Sequence, residues 1–409
     1  MYLVGGLIKN NMEKNIKLLV LTDINVSNVH LMIASILDSY PLWDVKFVNI
    51  NLPNSSFDNS RWYDYGKEDI DISYLYNKQN KFVKALSLMK LIRNFDIVFC
   101  TGAVASLVKL CNKPYIYFCT GSDLDQYAQY GCCSFEYIDK NISIFRKLLR
   151  PVKKEVYKKA IKCSEISIIA PYQYKNISSL GYNNLGFFPH PLQDDYLNIN
   201  INDKQSYIED VRRELNCKWI LFSSTRHVWD ESLINESDYK GNNVIIEAFN
   251  LFLMKTKRKD TKLVFIEKGP DVLKTKRLIQ ELNIERFIIW LKPMNRSKLI
   301  YYYLGSHLCF DEFSRGCLAF CSIEAMACGT PVISYIGDNE PNMPFYQPLP
   351  PILNTKDPKT ISFYIEEILN NETILEKNQK AAYSWVINNC SRDSLNEAFL
   401  KMASDILYM

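Results

Sequence analysis

Residues 307–337 read HLCFDEFSRGCLAFCSIEAMACGTPVISYIG, and few folds accommodate that order of residue types. An apolar run (His307 to Phe310) ends on two carboxylates, Asp311 and Glu312. A loop of small residues, Ser314 to Ala319, leads to a short helical segment around Glu324, Ala325, Met326 and Ala327. Gly329 ends that helix, and a second apolar run, Pro331 to Tyr335, begins at once. Strand, loop, helix and strand in this order set a helix N-terminus beside the carboxyl end of a buried strand. Unpaired N–H groups and the helix dipole favour an anion at such a corner, phosphate above all. The glutamate of the helix is then placed to accept hydroxyl groups of a ribose or sugar attached to that phosphate.

The same alternation runs through the chain. Candidate strands are Lys17 to Leu21, Val45 to Ile50, Ile97 to Cys100, Tyr115 to Cys119 and Ile166 to Ala170. A second series is Trp219 to Ser223, Leu263 to Ile266, Phe287 to Trp290, Leu308 to Phe310 and Val332 to Tyr335. Between them, Val29 to Leu37, Phe82 to Ile92, Val244 to Met254 and Val272 to Leu282 have helical spacing. Strands alternating with helices predict parallel sheets covered on both faces, and two series predict two doubly wound domains. The break falls near Phe188-Pro189-His190-Pro191, where prolines interrupt the pattern. Residues 51–80 are polar, aromatic-studded and weakly periodic. They are either a plain surface loop or an acceptor-side binding loop.

A chain of 409 residues has room for two domains of ordinary size. Its 47% hydrophobic and 23% charged residues fit a globular protein, and a net charge of +4 gives no reason to expect nucleic acid as a partner. The 12 cysteines include an adjacent pair, Cys132-Cys133, but no paired C-x-x-C sets, so no metal site is expected. Met1 to Ile8 lacks a charged lead and a cleavage site, and no stretch reaches the length of a membrane span. The expectation is a cytoplasmic chain with reduced thiols.

The run Glu324-Ala-Met-Ala-Cys-Gly-Thr-Pro-Val-Ile333 resembles the signature of retaining, nucleotide-sugar-dependent glycosyltransferases of family 4. The resemblance implies the GT-B fold: two doubly wound Rossmann-like domains facing a central cleft, with a C-terminal helix crossing back. The expected boundaries are 1–190 for an acceptor-binding domain, 191–385 for a nucleotide-sugar donor domain and 386–409 for the returning helix. Ligands of open α/β sheets lie beyond the carboxyl ends of strands, so the turns there carry the candidate site. Arg226 and Lys240 resemble the family's arginine and lysine on the donor pyrophosphate, although thirteen residues stand between them. Fixed cations stabilise the charge that builds on a leaving diphosphate. Lys268, in Glu267-Lys268-Gly269, is either a third phosphate contact or a solvated turn lysine. Pro293 and Met294 would lie against the base. Glu324 would bind the ribose, and Gly316, Cys317, Leu318, Ala319 and Phe320 would line the donor-sugar pocket.

One departure from the family stands out. The longer motif places a first glutamate eight residues before the second, and here that position is Gly316. Three readings stay open: Glu312 or Asp311 supplies the carboxylate, backbone N–H groups of Cys317 to Phe320 hold the sugar instead, or turnover is lost. In the first domain, Gly121, Ser122 and Asp123 resemble a turn that faces the donor sugar, and Asp123 either orients a hydroxyl or caps a helix. Ser27 and Asn28 occupy the place of the family's glycine pair after the first strand. Gly102 belongs to a second turn lining the acceptor side. None of the four histidines forms a metal pair.

Residues 140–162 carry nine Lys or Arg and one Glu. Ile144, Leu148, Val152, Val156 and Ile161 recur at roughly helical spacing, interrupted or kinked by Pro151. The segment is either a solvated helix face or a basic amphipathic helix lying on an anionic membrane surface.

The reading is a metal-independent, hexosyl-type transferase without a cofactor. It would move a sugar from a nucleoside-diphosphate donor to a saccharide or lipid-linked saccharide hydroxyl, with retention. The setting expected is glycan or polysaccharide assembly in the cytoplasm, peripheral on the inner membrane face. A nucleotide-sugar epimerase and a non-catalytic GT-B partner subunit are the alternatives.

Overall fold

A computed structural model describes residues 15–22, 29–50, 81–120, 123–132, 143–192, 194–230, 239–337 and 348–408. The candidate residues Ser27, Asn28, Gly121 and Ser122 lie outside them, as does the stretch 51–80. The chain divides into two compact units, Met1–Pro191 with Arg392–Met409, and Leu192–Ser391.

The first unit holds β1 (Ile16–Thr22), β2 (Trp43–Asn49), β3 (Ile97–Cys100), β4 (Tyr115–Phe118), β5 (Ile166–Ile168) and β6 (Leu185–Gly186). They form one parallel sheet in the order β2-β1-β3-β4-β5-β6. β3 is buried along its whole length, as a central strand covered on both faces must be. Around it lie α1 (Val29–Asp38), α2 (Lys81–Ile92), α3 (Ala105–Leu110), α4 (Ile144–Leu148) and α5 (Arg150–Lys162). His30 of α1 is fully buried between Phe99 (5.5 Å) and Phe118 (5.6 Å), and burial lowers its pKa to about 3, so it stays neutral.

The second unit holds β7 (Trp219–Ser223), β8 (Thr261–Ile266), β9 (Ile288–Leu291), β10 (Leu308–Phe310), β11 (Val332–Ser334) and β12 (Leu353–Asn354), in the parallel order β12-β11-β10-β7-β8-β9. Its helices include α6 (Lys204–Leu215), α7 (Asn242–Thr256), α8 (Val272–Glu281), α9 (Arg296–Leu304), α10 (Phe320–Ala327), α11 (Pro358–Asn370) and α12 (Glu372–Asn389). Phe249 and Phe252 of α7, Phe265 of β8, Phe310 of β10 and Ile361 and Ile365 of α11 share one buried cluster. Local sequence starts two of these helices. Asp357 accepts from the Thr360 N–H (2.9 Å) with Pro358 behind it, and Asn371 accepts from the Ile374 N–H (3.1 Å).

Three features differ from the sequence expectation. The returning helix α13 (Arg392–Leu407) begins at 392 rather than 386, because α12 runs unbroken to Asn389. α13 belongs to the first unit: Phe399 packs on Phe99 (5.4 Å) and Phe188 (5.6 Å), and Asn396 accepts from the Trp43 indole N–H (2.8 Å). The two-residue strands β6 and β12 are too short to show a period in sequence. In the basic segment, of the two readings of Pro151, interruption holds: α4 ends at Leu148, and Pro151 sits in the first turn of α5, where its missing N–H costs nothing. Ile161 of α5 faces inward and is fully buried, so it belongs to the core rather than to an exposed apolar face.

Among the described residues no helix is long and apolar enough to cross a membrane, and no group of three His, Cys, Asp or Glu is placed to hold a metal.

Candidate functional site

Strands β7 and β10 are neighbours, with Leu308 opposite Leu221, although the chain visits β8 and β9 between them. The strand order therefore reverses at this pair, and the crevice beyond their carboxyl ends is where an open parallel sheet offers a ligand site. The segments that leave β7 and β10 carry Arg226 and the Asp311-Glu312 pair.

Asp311 is 2% exposed and fully engaged. One carboxylate oxygen accepts from the Thr225 hydroxyl (3.0 Å); the other accepts from the Ser322 N–H (2.8 Å) and hydroxyl (2.7 Å). Ser322 is the third residue of α10, whose N-cap, Ala319, offers no side-chain acceptor. Asp311 thus supplies the cap from the preceding strand and meets the helix dipole with a negative charge. Burial raises its pKa, and its hydrogen bonds oppose that shift.

Glu312 is 1% exposed and ion-paired with Lys240. The Cys317 thiol donates to its other oxygen (3.5 Å), and burial, reinforced by the Glu312 charge, holds that thiol in its protonated form. The backbone completes the joint. Phe313 N–H donates to the Lys240 carbonyl (3.0 Å), and Lys240 N–H donates to the Val228 carbonyl (2.6 Å). Lys240 is therefore bonded both to the segment that leaves β7 and to the segment that leaves β10. Glycine is favoured at 241: its φ is +71°, and a Cβ would lie 3.0 Å from that of Phe313.

Arg226 is half-buried and held from both sides. Thr225 bonds Asp311. His227 donates its N–H to the Lys268 carbonyl (2.7 Å) and accepts at its own carbonyl from the Asp271 N–H (3.1 Å). The Lys268-Gly269 turn thus packs directly on His227, and a Cβ on Gly269 would come within 2.4 Å of the His227 carbonyl oxygen. His227 itself is structural. Its ring lies between Phe265 (4.9 Å) and Trp290 (5.1 Å), and burial lowers its pKa to about 4. Asp271 accepts from the N–H groups of Trp229 (2.8 Å) and Asp230 (3.1 Å), fixing the chain beyond Arg226.

Glu324 projects from α10 and is 3% exposed. Tyr303 of α9 donates to it (3.4 Å) and shares a hydrogen bond with the Ser224 hydroxyl (2.6 Å), tying the glutamate to the end of β7. Below it, Lys204 is buried with its ammonium on the carbonyls of Leu304 (2.8 Å) and Ser306 (3.3 Å) and on the Thr330 hydroxyl (2.7 Å). Burial lowers the pKa of Lys204 to about 8.

The glycine-rich end of the loop is also explained. Gly316 has φ +73°, and a Cβ there would lie 2.7 Å from the Gly337 Cα and 2.9 Å from its nitrogen. No side chain fits at 316. Leu318 is buried, while Cys317, Ala319 and Phe320 are half-buried. Pro293 is exposed and Met294 half-buried in the loop between β9 and α9. In the first unit, Gly102 is buried with φ +73° directly after β3. Asp123 is 2% exposed, accepts from the Thr101 hydroxyl (3.3 Å) and the Leu124 N–H (3.0 Å), and has its pKa raised to about 6 by burial.

In the second unit, then, Arg226, Lys240, Lys268, Glu312 and the 316–320 loop are joined by one hydrogen-bonded frame. Thr225, Asp271, Tyr303 and Ser322, which hold that frame, were not foreseen; no local motif marks them.

Residues 235–385 match the family described as glycosyl transferases group 1. No curated protein matches. Among solved structures, Anabaena Alr3699/HepE in complex with UDP superposes at a TM-score of 0.59 with 11% identity, over 95% of this chain and 100% of that one. Sucrose-phosphate synthase from Thermosynechococcus elongatus gives 0.61 at 14% identity, over 96% and 99%. UDP-GlcNAc 2-epimerase from Neisseria meningitidis, bound to UDP-GlcNAc, gives 0.55 at 12%, over 94% and 99%. These likenesses establish the GT-B fold.

Proposed function

We propose that this chain is a glycosyltransferase that moves a sugar from a nucleoside-diphosphate donor to a hydroxyl acceptor, with retention and without a metal, in glycan or polysaccharide assembly. The observation that carries the reading is the convergence of Arg226, the Lys240–Glu312 pair and the α10 N-terminus at the β7/β10 reversal, in a unit of which residues 235–385 match group 1 glycosyl transferases.

The donor diphosphate lies against Arg226 and Lys240. The bond from the anomeric carbon to the diphosphate oxygen breaks as the acceptor oxygen bonds that carbon from the same face. The acceptor proton passes to the departing diphosphate oxygen, so no protein base is required. Arg226 and Lys240 stabilise the charge that gathers on the diphosphate, and they need little rearrangement because the frame already fixes them. Glu312 holds Lys240 in place and, with the backbone of Cys317 to Phe320, stands where the sugar hydroxyls would be read. Glu324 accepts from the ribose, and Pro293 and Met294 border the base.

Anabaena Alr3699/HepE has been crystallised with UDP-glucose, which makes uridine donors the first to try. The test is calorimetry and thermal shift with UDP-, GDP-, ADP- and CMP-sugars on wild type and Arg226→Ala. One nucleotide class should stabilise wild type, by about 2.7 kcal/mol at a hundred times Kd. Arg226→Ala should bind it roughly 10- to 100-fold more weakly, the worth of a hydrogen bond to a charged group. Stabilisation by none of the four overturns the donor site.

A second reading, a nucleotide-sugar epimerase, is supported by the likeness to UDP-GlcNAc 2-epimerase. Conversion of the nucleotide-sugar to its epimer without acceptor and without net release of nucleoside diphosphate favours an epimerase; release only with acceptor favours transfer.

A further inference from the structure

Helices α4 and α5 place an exposed apolar surface inside the most basic stretch of the chain. Ile144 is 77% exposed, Phe145 70%, Leu148 70% and Val152 58%. Single surface hydrophobes are ordinary, but four large ones so close in sequence make a patch that calls for a partner. Between 143 and 162 stand eight Lys or Arg and one carboxylate, Glu155, which lies 3.6 Å from Lys158.

The patch is carried on a fixed support. The far end of α5 is anchored: Ala160 and Ile161 are buried, and the Tyr115 hydroxyl donates to the Ala160 carbonyl (2.6 Å). Tyr157 stacks on Tyr127 at 4.8 Å. Where α5 begins, Gly131 packs against the Arg150 carbonyl so closely that any Cβ there would overlap it. The core-facing half of α5 is thus accounted for, while α4 and the first turn of α5 leave their apolar side chains in solvent.

We propose that this surface docks on an anionic lipid bilayer. Ile144, Phe145, Leu148 and Val152 enter the boundary between headgroups and acyl chains, and the lysines and arginines meet the lipid phosphates. Apolar burial and attraction to anionic headgroups act together on such a surface. Lysine suits it, since its aliphatic stem lies along apolar material while the ammonium stays at the headgroup level. The proposal goes beyond the donor-site reading and does not rest on it.

The test is sedimentation of the full chain with vesicles of phosphatidylcholine alone or mixed with phosphatidylglycerol. The chain should pellet with the mixed vesicles only, and raising the salt should release it by screening. Lys147→Gln/Lys154→Gln should lower partitioning about five-fold per charge. Phe145→Ser/Leu148→Ser should lower it roughly ten-fold or more. Both pairs should keep the wild-type melting temperature and the wild-type response to nucleotide-sugars, which separates this test from that of the donor site. Absence of pelleting, equal pelleting with neutral vesicles, or variants that bind like wild type each overturns the proposal. So does a change in oligomeric state of Phe145→Ser/Leu148→Ser with no change on vesicles, which would give the patch to a second copy of the chain.

Discussion

Replacing Lys240 by methionine tests whether the Lys240–Glu312 pair organises the site. Glu312 is 1% exposed at its side chain and Lys240 17%, so the carboxylate is taken out of water and depends on the ammonium for compensation. Removing one partner of a buried pair strands the other, at a cost of about 3–5 kcal/mol. The residual exposure of Lys240 and the Cys317 thiol on the second oxygen argue for the lower end, about 3 kcal/mol. In a unit of this size that shifts the melting temperature by roughly 6–12 °C. The assay is a double-mutant cycle by urea denaturation with Lys240→Met, Glu312→Gln and the two combined. The double variant should recover most of the loss, because the stranded charge is gone, giving a coupling energy of about 2 kcal/mol or more. Nucleotide-sugar binding, followed alongside, should fail in Lys240→Met and in the double variant but be only weakened in Glu312→Gln, which keeps the cation and loses its anchor. A loss below about 1 kcal/mol in Lys240→Met, the range of solvent-exposed pairs, with additive effects in the double variant, would refute the reasoning.

Two further perturbations probe other parts of the frame. Gly316→Ala meets both a left-handed backbone (φ +73°) and the Gly337 backbone 2.7 Å from the new Cβ. It should destabilise by about 2 kcal/mol or more, and Gly316→Glu should neither fold better nor gain turnover. A stable and more active Gly316→Glu, by melting and by diphosphate release, would show that the position is open after all. Asp123, raised by burial from 3.8 to about 6, is protonated more readily folded than unfolded. Its contribution to stability is therefore complete below about pH 4 and declines as pH rises through about 6, by a total on the order of 3 kcal/mol. Asp123→Asn should remove that slope; the same slope in both proteins, by urea denaturation across pH 4 to about 7, would assign it to other groups.

How much of this was legible follows from the range of the interactions. The amphipathic and apolar periods are local, so strands such as Ile97–Cys100 and helices such as Asn242–Thr256 were located to within a residue or two. The Phe188–Pro191 break coincides with the division between units. The split between α4 and α5 stays open in the sequence, because Pro151 is compatible with either a kink or a first turn. The inward face of Ile161 was misread because spacing says which residues share a face, and not what that face meets.

At the site, the sequence alone determined the residue types at each strand end, the anion-favouring turn ahead of Glu324 and the absence of a side chain at 316. Those are properties of consecutive residues. The tertiary structure alone decided that β10 pairs with β7 and so brings Asp311 and Glu312 to the segment after β7. It decided that Asp311 caps α10 through Ser322, that Lys240 pairs with Glu312, and that Gly316 and Gly337 touch backbone to backbone. Each of these pairs is distant along the chain, and their proximity follows from strand order and helix packing, which no local period encodes.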